Sequence, residues 1–192
     1  MRQKKGKSNS SNTVVRALND LGLAAWFGGS LMGAIGLNGA AAEVDQPHER
    51  ARVANAGWSR WTPANLAAIG AYTVGSLAVA GANRGRLVGQ KGVPRMSLAK
   101  TALTAAAMAT TAYSRVLGQK VMDASTPPVE GATEPSGSTP PEVANAQRQL
   151  KVLQWAVPAL TGALMVTDSR MSEQQRPLEV AKGVVQRLNP AA

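Results

Sequence analysis

Two long runs without a charged residue constrain this chain more than any other feature of its sequence. Residues 21–42 and 61–83 are 22 and 23 residues long and contain no Asp, Glu, Lys or Arg. A helix needs about 20 residues to cross a bilayer core of about 30 Å. The glycine content of both runs is high for a soluble helix but ordinary for a membrane helix. Both runs therefore predict transmembrane helices.

A third uncharged run is shorter and needs a further argument. Residues 101–114 form 14 uncharged positions between Lys100 and Arg115, which is short for a span. Long basic side chains at helix ends reach toward the interface, and this effectively lengthens the helix that can cross. The sequence therefore predicts a third span over about residues 97–120.

The fourth uncharged run, residues 152–167, comes directly before Asp168. It predicts a span over about residues 150–168. Together the four segments predict an all-α fold, in which a four-helix transmembrane bundle occupies residues 21–168.

The segments outside the predicted spans are polar. Residues 1–20 form a basic leader, and its Ser-Asn run, residues 8–12, has no periodicity and is expected to be disordered. After the first span, Asp45 predicts the cap of a short helix outside the cytoplasm, with Pro47 in its first turn. Residues 123–143 are rich in proline, glycine and serine and predict a disordered, flexible loop. Residues 169–192 form a tail that contains a candidate amphipathic helix.

The distribution of basic residues predicts the orientation. The leader, residues 84–100 and the tail hold 14 of the 21 Lys and Arg residues, and all three fall on one side of a four-span chain. Cytoplasmic segments carry an excess of Lys and Arg, so both termini are predicted to be cytoplasmic. The heavy use of Ala and Gly with few Lys is typical of bacteria. We therefore expect a multi-pass protein of the inner (plasma) membrane, in contact with anionic headgroups at the cytoplasmic face.

Two other interpretations of the uncharged runs are open. A basic leader, an apolar core and the small residues 40–42 resemble a cleavable signal peptide, although this leader is long and the second run is then unexplained. A soluble helical bundle with alanine-rich helices is the other. It requires amphipathic stripes, and neither long run has a charged face.

The composition excludes several function classes. The chain has no cysteine and one histidine, His48, which rules out disulfides, thiolate metal sites and bis-histidine haem ligation. No catalytic constellation and no cofactor motif is visible, so an enzyme is not favoured. The net charge of +10 lies in tails and loops with few aromatic residues. We therefore expect no nucleic-acid partner.

Five charged residues are candidates for ion pairs or for ligand binding. Arg115 lies at the outer end of the short third span, where it snorkels to water, pairs with Glu43 or contacts an anionic ligand or lipid headgroup. On the inner side, Asp168 is a candidate partner for Arg84 or Arg86.

Small residues recur every four positions in the first span, at Ala25, Gly29 and Gly33. Such a stripe lets two helix backbones approach closely. It predicts either close packing within one bundle or the seam of a homodimer.

The first span opens on Trp26-Phe27-Gly28-Gly29. This stretch resembles the Trp-x-Gly-Gly opening of several bacterial four-span families, among them copper-resistance D-type domains and membrane domains of unknown function. The resemblance covers about twenty residues and implies a four-span membrane fold. It implies no copper or haem role, because the histidines for one are absent.

Three functional hypotheses follow from these patterns. The leading one is a non-catalytic accessory or structural subunit of a larger membrane complex or homo-oligomer, with a filled interior and an exposed groove of small residues. The second is a small transporter, channel or lipid-binding bundle, whose water-accessible cavity is lined by Arg115, Asn65 or Gln154. The third is a quinone-linked redox partner with an apolar, aromatic-walled cleft near Trp26 or Trp155.

Overall fold

The computed structural model describes residues 3–82, 93–124 and 127–173, and most of these residues are helical. A five-residue π-helical turn, Gly33–Leu37, joins the first two helices without a break. The described residues therefore form four long helical rods, and the prediction of an all-α fold is confirmed. The helices are α1 (Gln3–Met32), α2 (Asn38–Ala42), α3 (Pro47–Ala82), α4 (Val93–Asp123) and α5 (Pro141–Glu173).

The four rods pack as two hairpins. Helix α1 packs along α3, α4 packs along α5, and contacts between α1 and α5 hold the two hairpins together. Helices α3 and α4 touch each other far less. We call the end of the bundle that carries residues 43–46 and 127–140 the loop end. The opposite end, which carries Asn19 and Asp168, is the tail end.

An apolar cluster with two polar attachments fills the middle of the bundle. Trp26 and Tyr72 are fully buried, and their ring centroids lie 6.1 Å apart. The Trp26 indole N–H donates to Thr111 Oγ1 at 3.2 Å, and the Tyr72 hydroxyl lies 3.0 Å from Thr104 Oγ1. The polar tips of two buried aromatic side chains thus attach the first hairpin to α4. The other buried members of the cluster are Leu23, Ala68, Ala107, Val157 and Leu164.

Glycine sets the distance between α1 and α3. A Cβ atom at Gly22 would lie 2.5 Å from the backbone N of Tyr72, and one at Gly75 would lie 2.5 Å from the backbone N of Asn19. Neither position has room for a methyl group. Glycine costs roughly 1 kcal/mol of helix propensity relative to alanine, and close backbone packing offsets that loss.

The glycines of the predicted small-residue stripe are covered within the same chain. The Trp61 side chain lies over Gly29 and the Trp58 side chain lies over Gly33, so closely that a Cβ atom on either glycine would overlap the indole. Ala25 is exposed and takes no part in this contact. Gly29 and Gly33 therefore pack within one bundle, and they leave no bare groove for a second copy.

The first connector differs from its prediction. Helix α3 begins at Pro47, as the capping pattern indicates, but it does not end near Trp58. It continues through Pro63 to Ala82 as one helix of 36 residues. The separate short helix therefore does not form. Trp58 and Trp61 both lie over glycines of α1, so α3 packs against α1 on both sides of the predicted break. The leader differs too, since α1 is helical from Gln3.

Residues 127–140 form an ordered cap at the loop end, where the composition predicted a disordered loop. Val129 is fully buried and belongs to an apolar cluster with side chains of α3, α4 and α5. Gln147 of α5 is also fully buried, and its Nε2 donates to the carbonyl oxygen of Gly131 at 3.0 Å. Composition predicts disorder from the scarcity of large apolar residues. Here one valine inserted among three helices and one buried amide are enough to hold the cap.

Two predictions lie outside the described residues. The candidate amphipathic helix of the tail falls mainly on residues 174–192, and Arg84 falls on residues 83–92. Helix α5 itself extends past Asp168 to Glu173.

Three described helices are long and apolar enough to cross a membrane, namely Thr13–Ala42, Pro47–Ala82 and Pro141–Glu173. Large apolar side chains face outward on them, with Leu21 71% and Leu77 68% exposed. A water-soluble bundle turns such side chains toward its core. These helices suggest a membrane protein. Helix α4, with 31 residues, is similarly long, but its uncharged run between Lys100 and Arg115 is only 14 residues.

Candidate functional site

A cleft of about 520 Å³ lies between α3 and α4. It runs from the level of Ile69 and Met108, near the middle of the bundle, to the cap at the loop end. Leu66, which is 64% exposed, and the exposed Ala112 belong to its lining. The cleft therefore opens sideways between α3 and α4, and not only at the end of the bundle.

Most of the lining surface of the cleft is apolar, and polar side chains are set along its whole length. Amides and hydroxyls line both the part near the middle of the bundle and the part near the loop end. Pockets of this kind, apolar with a few placed polar groups, suit a molecule with an apolar body and a polar head. The apolar residues include Leu66, Ile69, Met108 and Val157, and the polar ones include Asn38, Asn55, Thr133 and Gln154.

Two tryptophans form the aromatic wall of the cleft. Trp58 and Trp61 both line it, and both rest on glycines of α1. Any larger side chain at Gly29 or Gly33 would push these indoles outward. The small residues of α1 therefore shape the cleft, since they decide how far the indoles extend into it.

A chain of hydrogen bonds supports the polar wall. The Trp58 indole N–H donates to Asn38 Oδ1 at 2.9 Å, and Asn38 Nδ2 donates to Gln154 Oε1 at 2.9 Å. Gln154 Nε2 in turn donates to Thr133 Oγ1 of the cap at 3.4 Å. Asn38 is the first residue of α2, directly after the π-helical turn. This relay joins α3, α2, α5 and the cap, and it satisfies most of its own polar groups.

Arg115 and Asn65 line the cleft without a partner among the described residues. The Arg115 side chain, on α4, is exposed and forms neither a hydrogen bond nor an ion pair with any of them. Asn65 Oδ1 is buried and accepts no hydrogen bond within the described part of the chain. A buried acceptor without a donor costs roughly 1–3 kcal/mol. Both groups are therefore available to a ligand in the cleft.

The candidate pair of Arg115 with Glu43 does not form. Glu43 is exposed at the end of α2, and neither residue occurs in the ion pairs between described side chains. Those ion pairs are Arg52–Glu49, Lys100–Asp168 and Lys151–Glu134.

A mostly buried polar cluster at the tail end joins all the long helices. Lys100 Nζ lies 2.6 Å from Asp168 Oδ1, and each side chain is 16% exposed. Asn19 Nδ2 donates to Asp168 Oδ2 at 3.1 Å, and Ser76 Oγ donates to Asn19 Oδ1 at 2.6 Å. The Lys100 ammonium also lies 5.3 Å from the centroid of the Tyr72 ring. Asp168 is thus neutralised by Lys100 on the neighbouring helix, whereas the sequence pointed to an arginine at 84 or 86.

No group of three or more His, Cys, Asp or Glu side chains converges within residues 3–82, 93–124 and 127–173. The histidine, His48, is exposed near the start of α3. The third hypothesis placed an aromatic cleft near Trp26 or Trp155. Trp26 is fully buried in the core, Trp155 is 51% exposed, and neither lines the cleft.

Sequence reasoning missed the side of α3 that lines the cleft. The residues of this side recur at helical spacing both before and after Arg60. One face of α3 therefore continues from the predicted connector into the predicted second span. That periodicity was a usable signal, but the predicted break between a short helix and the second span concealed it. The residues are Ala51, Ala54, Asn55, Trp58, Thr62, Asn65 and Ile69.

The fold and the cleft define an all-α helical bundle, compatible with a multi-pass membrane protein, that has a lateral cleft between two of its helices. Comparison with known proteins adds no relative, because no family model, no curated protein and no solved structure matches this chain. The Trp-x-Gly-Gly opening has a structural role in this fold: Trp26 fills the core and Gly29 lies under Trp61.

Proposed function

We propose that this chain is an integral protein of the bacterial inner (plasma) membrane, crossed by all four helical rods, and that it binds an amphipathic lipid in the cleft between α3 and α4. The cleft is the observation that carries the proposal. It opens sideways, and its apolar part is lined by residues of the uncharged run of α3, including Leu66 and Ile69. In a bilayer, that opening faces the acyl chains.

A crossing by α4 is supported by its packing. Helix α4 lies along α5, one of the helices that are apolar enough to span. Its uncharged run ends at Lys100, which is paired with Asp168 and therefore costs less to bury than a lone charge. At the other end Arg115 is exposed, and its long side chain can reach the interface.

The orientation is supported by charge. The leader, residues 84–100 and the tail, which carry 14 of the 21 basic residues, all lie at the tail end in a four-span arrangement. A cytoplasmic tail end agrees with the preference of basic segments for the cytoplasm.

Single cysteines test the topology, since the chain has no cysteine of its own. With a membrane-impermeant maleimide, we expect Ser138→Cys in the cap to be labelled in intact cells. Arg95→Cys, near the start of α4, and Ser172→Cys, near the end of α5, both lie at the tail end. They should react only after permeabilisation. Labelling of Ser172→Cys but not of Ser138→Cys in intact cells would contradict a crossing by α4, and labelling of Arg95→Cys would contradict a cytoplasmic tail end. Recovery of the protein in the soluble fraction would contradict the membrane assignment.

Lipid binding accounts for the geometry better than the other two hypotheses. An accessory subunit was expected to have a filled interior and an exposed small-residue groove, but Gly29 and Gly33 are covered and the space between α3 and α4 is not filled. A quinone partner was expected near Trp26 or Trp155. The expected cavity lined by Arg115, Asn65 and Gln154 corresponds to the cleft.

A brominated phospholipid tests cleft binding, because bromine quenches tryptophan fluorescence on contact. In a Trp155→Phe background, which removes the exposed indole, we expect strong quenching of Trp58 and Trp61. Gly118→Phe should abolish most of it, since Gly118 lines the cleft and a Cβ atom there meets nothing within 4 Å.

Gly70→Phe is the matched control for the cleft-filling variant. Gly70 is exposed on α3, has equally open space around its Cβ position and does not line the cleft. Its quenching should equal that of the Trp155→Phe background. Equal quenching in the Gly118→Phe and Gly70→Phe variants would show that the lipid contacts the indoles from outside the cleft.

A further inference from the structure

Given the proposed lipid-binding function, on which this inference rests, we propose that the cleft selects an anionic phospholipid and that Arg115 binds its phosphate. The shape of the cleft alone does not decide the charge of the headgroup. Three observations favour an anionic one: the charge of the lining, the Arg115 donors that have no partner among the described residues, and the position of Arg115 along the cleft.

The lining has one sign of charge. Arg115 is the one charged residue among the described residues that line the cleft, and no carboxylate lines it. The carboxylates paired within the described part of the chain, those of Glu49, Glu134 and Asp168, are held by other cations. A cationic cleft with low-dielectric walls raises the local concentration of anions.

The donors of Arg115 have no partner within the described part of the chain, whereas the polar side chains near it already form hydrogen bonds. Ser114 Oγ donates to the Thr110 carbonyl oxygen at 2.8 Å, and Thr111 Oγ1 accepts the Trp26 indole N–H. Asn38 and Gln154 bond to each other. Because these groups already have partners, the guanidinium is the strongest unused donor in the lining.

Arg115 divides the cleft at the level a headgroup would need. Met108 lies seven residues before Arg115 on the same helix, about 10 Å away at 1.5 Å per residue. Leu66, Ile69 and Met108 give the part toward the middle of the bundle its large apolar side chains, beside the hydroxyls of Thr62 and Thr111, while Asn55 and Thr133 lie toward the loop end. A phosphate at Arg115 therefore leaves the acyl chains toward Leu66, Ile69 and Met108, and the rest of the headgroup toward the amide of Asn55 and the hydroxyl of Thr133.

Guanidinium and phosphate have matching chemistry. The planar fork of arginine donates two parallel hydrogen bonds to phosphate oxygens, and such charge-assisted bonds are roughly twice as strong as neutral ones. A cation near hydrocarbon is costly unless it is solvated or paired. A phosphate bound to Arg115 offsets that cost. A zwitterionic headgroup carries a cation of its own beside its phosphate, and it therefore gains less from binding Arg115.

The test compares two brominated lipids on the same acyl chains, phosphatidylglycerol and phosphatidylcholine, in the Trp155→Phe background. We expect phosphatidylglycerol to quench Trp58 and Trp61 at a lower mole fraction. Arg115→Ala should weaken phosphatidylglycerol binding by about 10-fold or more, as expected for hydrogen bonds to a charged group of about 1.5–3 kcal/mol. Phosphatidylcholine binding should change little.

Arg60→Ala is the matched control. Arg60 is exposed on α3 and does not line the cleft, so its loss lowers the net charge equally without touching the site. Equal effects of the two substitutions would reduce the preference to general surface charge and overturn the assignment to Arg115.

Further outcomes separate this inference from the proposed function. Equal quenching by both lipids, still sensitive to Gly118→Phe, would overturn the anionic headgroup but leave the lipid cleft intact. Quenching insensitive to Gly118→Phe would overturn the cleft as a lipid site, and the headgroup inference with it. Displacement of phosphatidylglycerol by inorganic phosphate, at ionic strength matched with NaCl, would identify a soluble oxyanion as the ligand instead.

Discussion

Asp168→Ala is expected to destabilise the protein by about 3–5 kcal/mol, the usual result of removing one partner from a buried ion pair. Lys100 and Asp168 are each 16% exposed and their charged atoms lie 2.6 Å apart. Without the carboxylate, the ammonium keeps, among the described side chains, the face of the Tyr72 ring 5.3 Å away. Asn19 Nδ2 also loses one of its two acceptors and keeps Asp20 Oδ1. Denaturant unfolding in a mild detergent measures the loss.

The paired replacement Lys100→Met with Asp168→Leu distinguishes the effect of an unpaired charge from the effect of lost packing. Apolar residues of similar volume often replace a buried ion pair at no loss of stability, because no uncompensated charge remains. We therefore expect the double variant to recover most of the stability that Asp168→Ala loses. A double variant as unstable as the single one would show that packing, and not the unpaired charge, dominates at this position.

Lys151→Met is the control from an exposed pair. Lys151 and Glu134 lie 3.5 Å apart with side chains 60% and 40% exposed, and exposed pairs contribute about 0–1 kcal/mol. The substitution should change the free energy of unfolding by no more than that. A loss for Asp168→Ala no larger than this would contradict a buried pair at the tail end.

Gly22→Ala is the second substitution with a large expected effect. The added Cβ would lie 2.5 Å from the backbone N of Tyr72 and 2.6 Å from the backbone carbonyl oxygen of Ala68. Backbone atoms of a helix cannot rotate away as a side-chain tip can, so α1 and α3 must separate. Overpacking of a tight core costs typically about 1–3 kcal/mol, and we expect a loss in that range by the same unfolding measurement.

Gly28→Ala is the matched control in the same helix. Gly28 is exposed, and a Cβ atom there meets nothing within 4 Å. Alanine is a better helix former than glycine by roughly 0.5–1 kcal/mol, so this variant should be unchanged or slightly more stable. A similar loss for both substitutions would contradict a close backbone contact at Gly22.

The helices were predictable because their signals are local. Residues 21–42 and 61–82 lie within two of the long helical rods, and α4 and α5 contain the two shorter uncharged runs. Freedom from charge over about 20 residues is a property of the chain itself and needs no partner to be recognised. The small residues at Gly29 and Gly33 were recognised as packing positions for the same reason.

The cap was not predictable from composition. Residues 127–140 contain few large apolar side chains, and this normally predicts disorder. Their order depends on Val129 entering a cluster formed by three helices and on Gln147, sixteen positions after Gly131, donating to its carbonyl oxygen. Both contacts exist only after α4 and α5 have packed.

The sequence by itself determined where the helical segments lie, which of them are apolar enough for a membrane, and that Arg115 and Asp168 are unusual charges. The tertiary structure alone decided their partners: Lys100 for Asp168, two indoles for the glycines of α1, and an open cleft for Arg115. The physical reason is range. Hydropathy and helix formation act along the chain over a few turns, whereas ion pairs, hydrogen bonds and steric fit act over a few ångströms between segments that only folding brings together.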